Sequence, residues 1–262
     1  MTTEQTMRAT WRIARAALLF GSVLGWGGGC ETRRPTPLTP PAALVAPYDT
    51  SRGPVLWAVA PLRNESGTTS ADALAITDKV VAAAAQVRGV SALPLNRTIA
   101  AMRALGMSEL KSPADAKRLA GELGADVIVV GSITAYDPYD PPKLGLALAL
   151  YTRPGPAERR GQGALDPRKL TYQPTDYRYF PRSTTPDAPG AVVSEYFDGR
   201  NHQVLMDVKS YSTGRHDPDA GIGWRRYLAS MDLFCDFGSW QTVKRLLDHE
   251  WLRLAQAAPA AE

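Results

Sequence analysis

The stretch from Ala125 to Ile133, ADVIVVGSI, constrains the fold of this chain more than any other segment. It is a nearly continuous β-branched run with no polar alternation, the pattern of a strand covered on both faces. A strand of that kind needs helices packed above and below its sheet, and the sequence before it supplies them. Val55 to Leu62 (VLWAVAPL) reads as a buried strand that ends in the turn formers Arg63, Asn64, Glu65, Ser66 and Gly67. Ala71 to Val87 places Leu74, Ile76, Val80, Val81, Ala84 and Val87 near helical spacing, with Asp72, Asp78 and Lys79 opposite. Val90 to Leu95 reads as a second strand, and Arg97 to Leu105 as a short helix stopped by Gly106. Ser112 then serves as N-cap to a helix with Pro113 at its first position, Asp115 in its first turn and Gly124 at its end. The order β-α-β-α-α-β predicts an α/β (α+β) class, a small mixed sheet packed with helices.

Beyond Tyr136 the sequence DPYDPPK makes a turn, and Leu144 to Tyr151 (LGLALALY) alternates apolar and small residues as a hairpin partner would. Residues 152–190 are rich in Pro, Gly and Arg without periodicity and read as a surface insert or disordered loop. The last part, 191–262, reads as a helical C-terminal unit. One helix from about Asn201 carries Val204, Leu205, Val208 and Tyr211. Another carries Trp224, Tyr227, Leu228, Met231, Phe234 and Cys235, is interrupted at Gly238, and continues through Trp240, Val243, Leu246, Leu247, Trp251 and Leu254.

The N-terminus has a different plan. Arg8, Arg12 and Arg15 precede an apolar run of eleven residues, Ala16 to Trp26, followed by Gly27, Gly28, Gly29 and Cys30. A positive region, a short apolar region and small residues make a secretory signal, and the apolar run is too short to span a bilayer of about 30 Å. Gly28, Gly29 and Cys30 resemble the lipobox of bacterial lipoproteins, although position 27 is Gly where that motif carries an aliphatic residue. The resemblance implies cleavage of residues 1–29 and a lipid on Cys30 that ties the chain to a membrane, on the periplasmic side and at the outer rather than the inner membrane. Residues 30–54 contain six prolines and read as an extended tether, followed by an α/β domain over 55–151.

Composition narrows the functional classes. The formal charge is +4, but the three arginines and Glu4 of the first 29 residues carry half of that excess, too little for the dense basic surface that nucleic acid demands. The two cysteines, Cys30 and Cys235, form no CxxC pair and no Cys/His cluster, so no metal or cofactor is expected. With Cys30 lipidated, Cys235 is a lone thiol, read as a small buried hydrophobe on a helix. His202, His216 and His249 are scattered, no GxSxG or GxxxxGK motif occurs, and Asp217, Asp219 and Gly221 lack the closing Glu of a calcium loop.

The pieces VAPLRNESG, GVSALPLNRTI and AKRLAGELGADVIVVGSITAY resemble the curli-secretion lipoprotein, the LpoB-type lipoprotein activators of penicillin-binding proteins and the N-terminal domain of TolB, over about Val55 to Tyr151. The resemblance implies a non-enzymatic envelope protein, an accessory or assembly factor that binds other envelope proteins or copies of itself. Aromatics and arginines beside exposed turns, at Tyr136, Tyr139, Trp224, Arg225 and Arg226, are candidates for partner contact. Trp224 and Tyr227 also lie on the apolar stripe, which favours the core over partner contact for these two. Two alternatives stay open: a self-assembling component of a secretion channel, and an enzyme with an unfamiliar site drawn from Asp137, Asp140, His202 or His216.

Overall fold

A computed structural model describes residues 39–51, 53–153, 188–217 and 219–257. Residues 1–29, read from the sequence as a signal, Cys30 and most of residues 152–190 fall outside the described residues. The main sheet runs in the order β5-β2-β6-β7-β8, where β2 is Val55–Val59, β5 Val90–Ala92, β6 Val127–Asp137, β7 Lys143–Thr152 and β8 Ala191–Asp198. β5, β2 and β6 are parallel, whereas β7 and β8 run antiparallel to β6 and to each other. The two-residue β3 (Arg63–Asn64) continues the line of β2 and pairs with the middle of β6. A separate parallel pair joins β1 (Leu44–Val45) to β4 (Val87–Arg88).

Two apolar layers sandwich the sheet. On one face lie α1 (Ala73–Ala85), α4 (His202–Ser212) and the long α6 (Met231–Ala257), packed through Ile76, Val80, Val208, Phe234, Phe237 and Leu246 onto Trp57, Val129, Leu144, Leu146, Leu148 and Leu150. On the other lie α2 (Leu95–Ala104) and α3 (Pro113–Leu123), which bury Met102, Ala116 and Leu119 against Ala58 and Ile128. Val127 and Val129 face the first layer while Ile128 and Val130 face the second, so the β-branched run of β6 is enclosed on both sides.

Local chemistry sets the helix ends. Ser112 Oγ accepts from the Asp115 N–H and the Asp115 carboxylate accepts from the Ser112 N–H, a complete capping box, and Gly124 closes α3 at φ +65°. Asp72 caps α1 by accepting from the N–H groups of Leu74 and Ala75.

Four features differ from the sequence-based expectations. Residues 39–48 are not tether. Leu44, Ala46 and Tyr48 are buried, β1 bonds to β4, and a Cβ on Gly214 would collide with the Thr39 carbonyl and lie 2.6 Å from Pro41 N. The segment 191–262 is not wholly helical, because β8 completes the sheet by burying Val193 and Phe197. Gly238 does not interrupt α6. It gives Leu144 and Phe197 room to approach, since a Cβ there would lie 2.5 Å from Leu144 Cδ2 and 3.3 Å from Phe197 Cδ2. The break falls instead at Ser230, between the one-turn α5 (Arg226–Ala229) and α6, where the Ser230 carbonyl accepts from the Phe234 N–H.

A candidate interaction groove at the end of the parallel strands

The carboxyl end of β2 opens into a groove of about 350 Å³, at the place where parallel α/β sheets commonly hold ligands. Its floor is Val130, Gly131 and Ser132 of β6 with Tyr151 of β7. One wall is the chain from Ala60 to Arg63 with Glu65, and the other is the loop Ser108–Lys111 with Ser112, Pro113 and Ala116 of the first turn of α3. Met102 closes the end. The sequence builds each wall locally. Ala60 donates to the Val129 carbonyl and the Leu62 N–H to Thr77 Oγ1, which steers the chain past Pro61 into β3. The capping box holds the opposite wall, with the Asp115 carboxylate also accepting from the Lys111 N–H.

The rim is a chain of alternating charge. Arg63 lies 3.7 Å from Glu65 and 3.8 Å from Glu109, and Lys111 lies 3.7 Å from Glu109. All four side chains are exposed and the contacts are long, so they are weak, screened pairs that exchange partners at little cost. Hydrogen bonds of its Oδ2 to Ser112 and Lys111 hold the Asp115 carboxyl below its ordinary range. Burial raises the phenol of Tyr151, opposed by the nearby Lys117.

The residues singled out in the sequence lie elsewhere. Tyr136, on β6, is half-buried against the main core, and its phenol is raised by burial and by Cys235, Asp232 and Asp72. Tyr139, on the β6–β7 hairpin, is 80% exposed. Trp224 packs partly on the core with the Arg225 guanidinium 5.1 Å from its ring centre, while Arg226 is exposed. Tyr227 is buried, donates to the Arg215 carbonyl and meets Tyr211 edge-on at 5.4 Å. None of Tyr136, Tyr139, Trp224, Arg225 and Arg226 lines the groove. Asp137 is held by Lys143 at 3.3 Å, and His216 Nδ1 is 2.8 Å from the Ser212 carbonyl. Among the described residues, no group of three His, Cys, Asp or Glu side chains is placed to hold a metal, and no helix is long and apolar enough to cross a membrane.

The groove residues escape the sequence pattern because Arg63 to Gly67 reads as a turn and Ser108 to Lys111 falls between two helices with no periodicity of its own.

No family model matches this chain, and no curated protein matches it. Among solved structures it is similar to the LpoB C-terminal domain from Salmonella enterica, at 18% identity over 42% of this chain and 74% of that one, with a TM-score of 0.32. It is also similar to a lipoprotein from Neisseria meningitidis, at 16% identity over 38% and 72% with a TM-score of 0.32. A third similar structure is a hypothetical protein from Chlamydia trachomatis, at 8% identity over 80% and 100% with a TM-score of 0.33.

Proposed function

We propose that this chain is a lipid-anchored envelope protein, tethered through Cys30, that performs no catalysis and serves as an accessory or assembly factor for another envelope protein. Its groove holds a peptide segment of that partner. The observation that carries this reading is the pairing of an apolar lining, Val130 and Tyr151 on the floor with Ala116 on the wall and Met102 at the end, with a rim of alternating, loosely held charges. Such a site suits a segment that inserts one aliphatic or aromatic side chain and lays charged neighbours along the rim. The adjacent two-residue strand β3 is exposed and offers backbone for an extended segment.

The anchor is tested by intact mass of the mature chain from membranes beside Cys30→Ala. A chain that starts at Cys30 with lipid mass, absent in the variant, supports the tether, and an unlipidated chain cut elsewhere overturns it. The groove is tested with a photo-crosslinking residue at Leu110 in the full chain in cells. One dominant foreign envelope protein is expected, and it is lost when Arg63→Glu and Lys111→Glu are combined. Crosslinks indifferent to that reversal, or none, overturn the groove as the docking site.

A further inference from the structure

We infer that the face of the folded body around Val45 and Trp251 docks on the headgroup layer of an anionic phospholipid bilayer. Leu44 and Val87 are buried, whereas Val45 and Arg88 are exposed and stand side by side in the β1–β4 register. Trp251 of α6 donates its indole N–H to the Val45 carbonyl at 3.4 Å, and the two side chains are 49% and 52% exposed. A tryptophan so held has its polar edge satisfied and its ring open, the form that suits the boundary between water and acyl chains. Cations gather on the same side. Lys244 precedes Trp251 by about two turns of α6, with its Nζ 5.9 Å from the Trp240 ring centre. The Arg215 guanidinium lies 5.6 Å from that same ring and donates to Gln86 Oε1 at 2.9 Å, two positions before Arg88. Two routes therefore lead from Arg215 to Trp251, one through Trp240 and Lys244 and one through Gln86, Arg88 and Val45, and together they outline a single patch.

Two observations select a bilayer as the occupant. The first is where the chain enters the body. Thr39 meets Gly214, the residue before Arg215, so closely that a Cβ on Gly214 would collide with the Thr39 carbonyl. On the proposed lipidation of Cys30, only residues 31–38 separate the lipid from this point, and the patch that begins at Arg215 is held close to the membrane. The second is charge. Arg88, Arg215 and Lys244 outnumber the one carboxylate that stands among them, Asp248, a turn beyond Lys244. Basic side chains beside an apolar tip are drawn to anionic headgroups, while the tip enters the layer beneath them. The inference rests on the tether of the proposed function for its reach, and not on the groove.

The test uses the whole mature chain, residues 30–262, made without lipid and coupled through its Cys30 thiol to a maleimide-bearing phospholipid in vesicles. Cys235 is buried and does not compete. The vesicles contain either phosphatidylglycerol with phosphatidylethanolamine or phosphatidylcholine alone, each with lipids brominated in the acyl chains, and tryptophan emission is read. Quenching is expected in the anionic vesicles, weak in the neutral ones, and lost in Trp251→Phe. Val45→Asp, or Arg88→Glu combined with Lys244→Glu, is expected to lower the docked-to-undocked ratio about tenfold or more. Emission indifferent to brominated lipid, quenching equal in the two vesicles, or quenching that survives Trp251→Phe or the charge reversal overturns the inference. Because the coupling supplies the tether, such a failure is separate from a failure of lipidation in cells, which intact mass reads. Circular dichroism checks folding, and if Trp251→Phe does not fold, Val45→Asp and the charge reversal decide it.

Discussion

Lys79 of α1 reaches between two carboxylates of α6, with its Nζ 2.7 Å from Asp232 Oδ1 and 2.9 Å from Asp236 Oδ1. This contact joins the two helices on the main face of the sheet. Burial alone would lower the ammonium's pKa, but the hydrogen bonds it donates to Asp232 and Asp236 outweigh it and the net shift is upward. A raised folded-state value gives stability that is complete below the unfolded lysine range, near pH 10.4, and is lost as pH climbs through the folded value. Lys79→Met is expected to cost about 1–2 kcal/mol in urea unfolding at pH 7, because it leaves two carboxylates without their cation. The difference from wild type should shrink above pH 11, and a constant difference there would assign the loss to packing instead.

Arg253 forks onto Glu250 through two hydrogen bonds of 2.7 and 2.8 Å, and Glu250 is fully buried. Arg253→Met strands a buried carboxylate and is expected to destabilise by about 3 kcal/mol or more. Adding Glu250→Gln should restore part of the loss, a coupling that a double-mutant cycle reads directly.

Two glycines differ in what a methyl group would meet. At Gly131 a Cβ collides with the Ala147 carbonyl, a backbone atom in the middle of the β6–β7 ladder. At Gly238 it meets side-chain carbons of Leu144 and Phe197. Gly131→Ala is expected to be the worse of the two in thermal melts. Gly238→Ala should cost about 1 kcal/mol net, the overpacking partly offset by helix propensity.

The Cys235 thiol is pushed up to about 12 by burial; nearby Lys79 opposes this, and Asp232 and Asp236 add to it. It should resist a thiol reagent at pH 8 in the folded protein and react at once in urea, so its labelling reports opening of the α1–α6 layer. Rapid native labelling would show that the layer opens locally.

Ser112→Ala is expected to cost about 1 kcal/mol through loss of the cap. Because Ser112 and Pro113 form a wall of the groove, the same substitution should weaken the crosslink from Leu110 without changing the two cores.

The capping of α3 was legible residue by residue, from Ser112 through Gly124, because capping chemistry is local. The β6–β7 hairpin was legible for the same reason, with its alternation and turn contained in one stretch. Strand β8 was missed although AVVSEYFD alternates, since the residues on both sides are loop-like before it and helical after it. Gly238 misled because a glycine in a helical stripe reads as a stop when the neighbours it makes room for, Leu144 and Phe197, are distant in sequence. The groove needed three separate segments, around Arg63, Glu109 and Tyr151, brought together by the parallel pairing of β2 with β6. No local pattern encodes that meeting.

The packing of Thr39 against Gly214 sets a length. On the proposed lipidation of Cys30, the leash runs from that residue only to Thr39, where the chain already meets the folded body. A fully extended chain spans at most about 3.6 Å per residue, so on that reading the domain works within a radius of roughly 30 Å of its lipid. Any partner must therefore bring its own segment into that hemisphere of membrane-adjacent space. Lengthening the leash between Cys30 and Thr39, not altering the fold, is the way to widen the protein's territory.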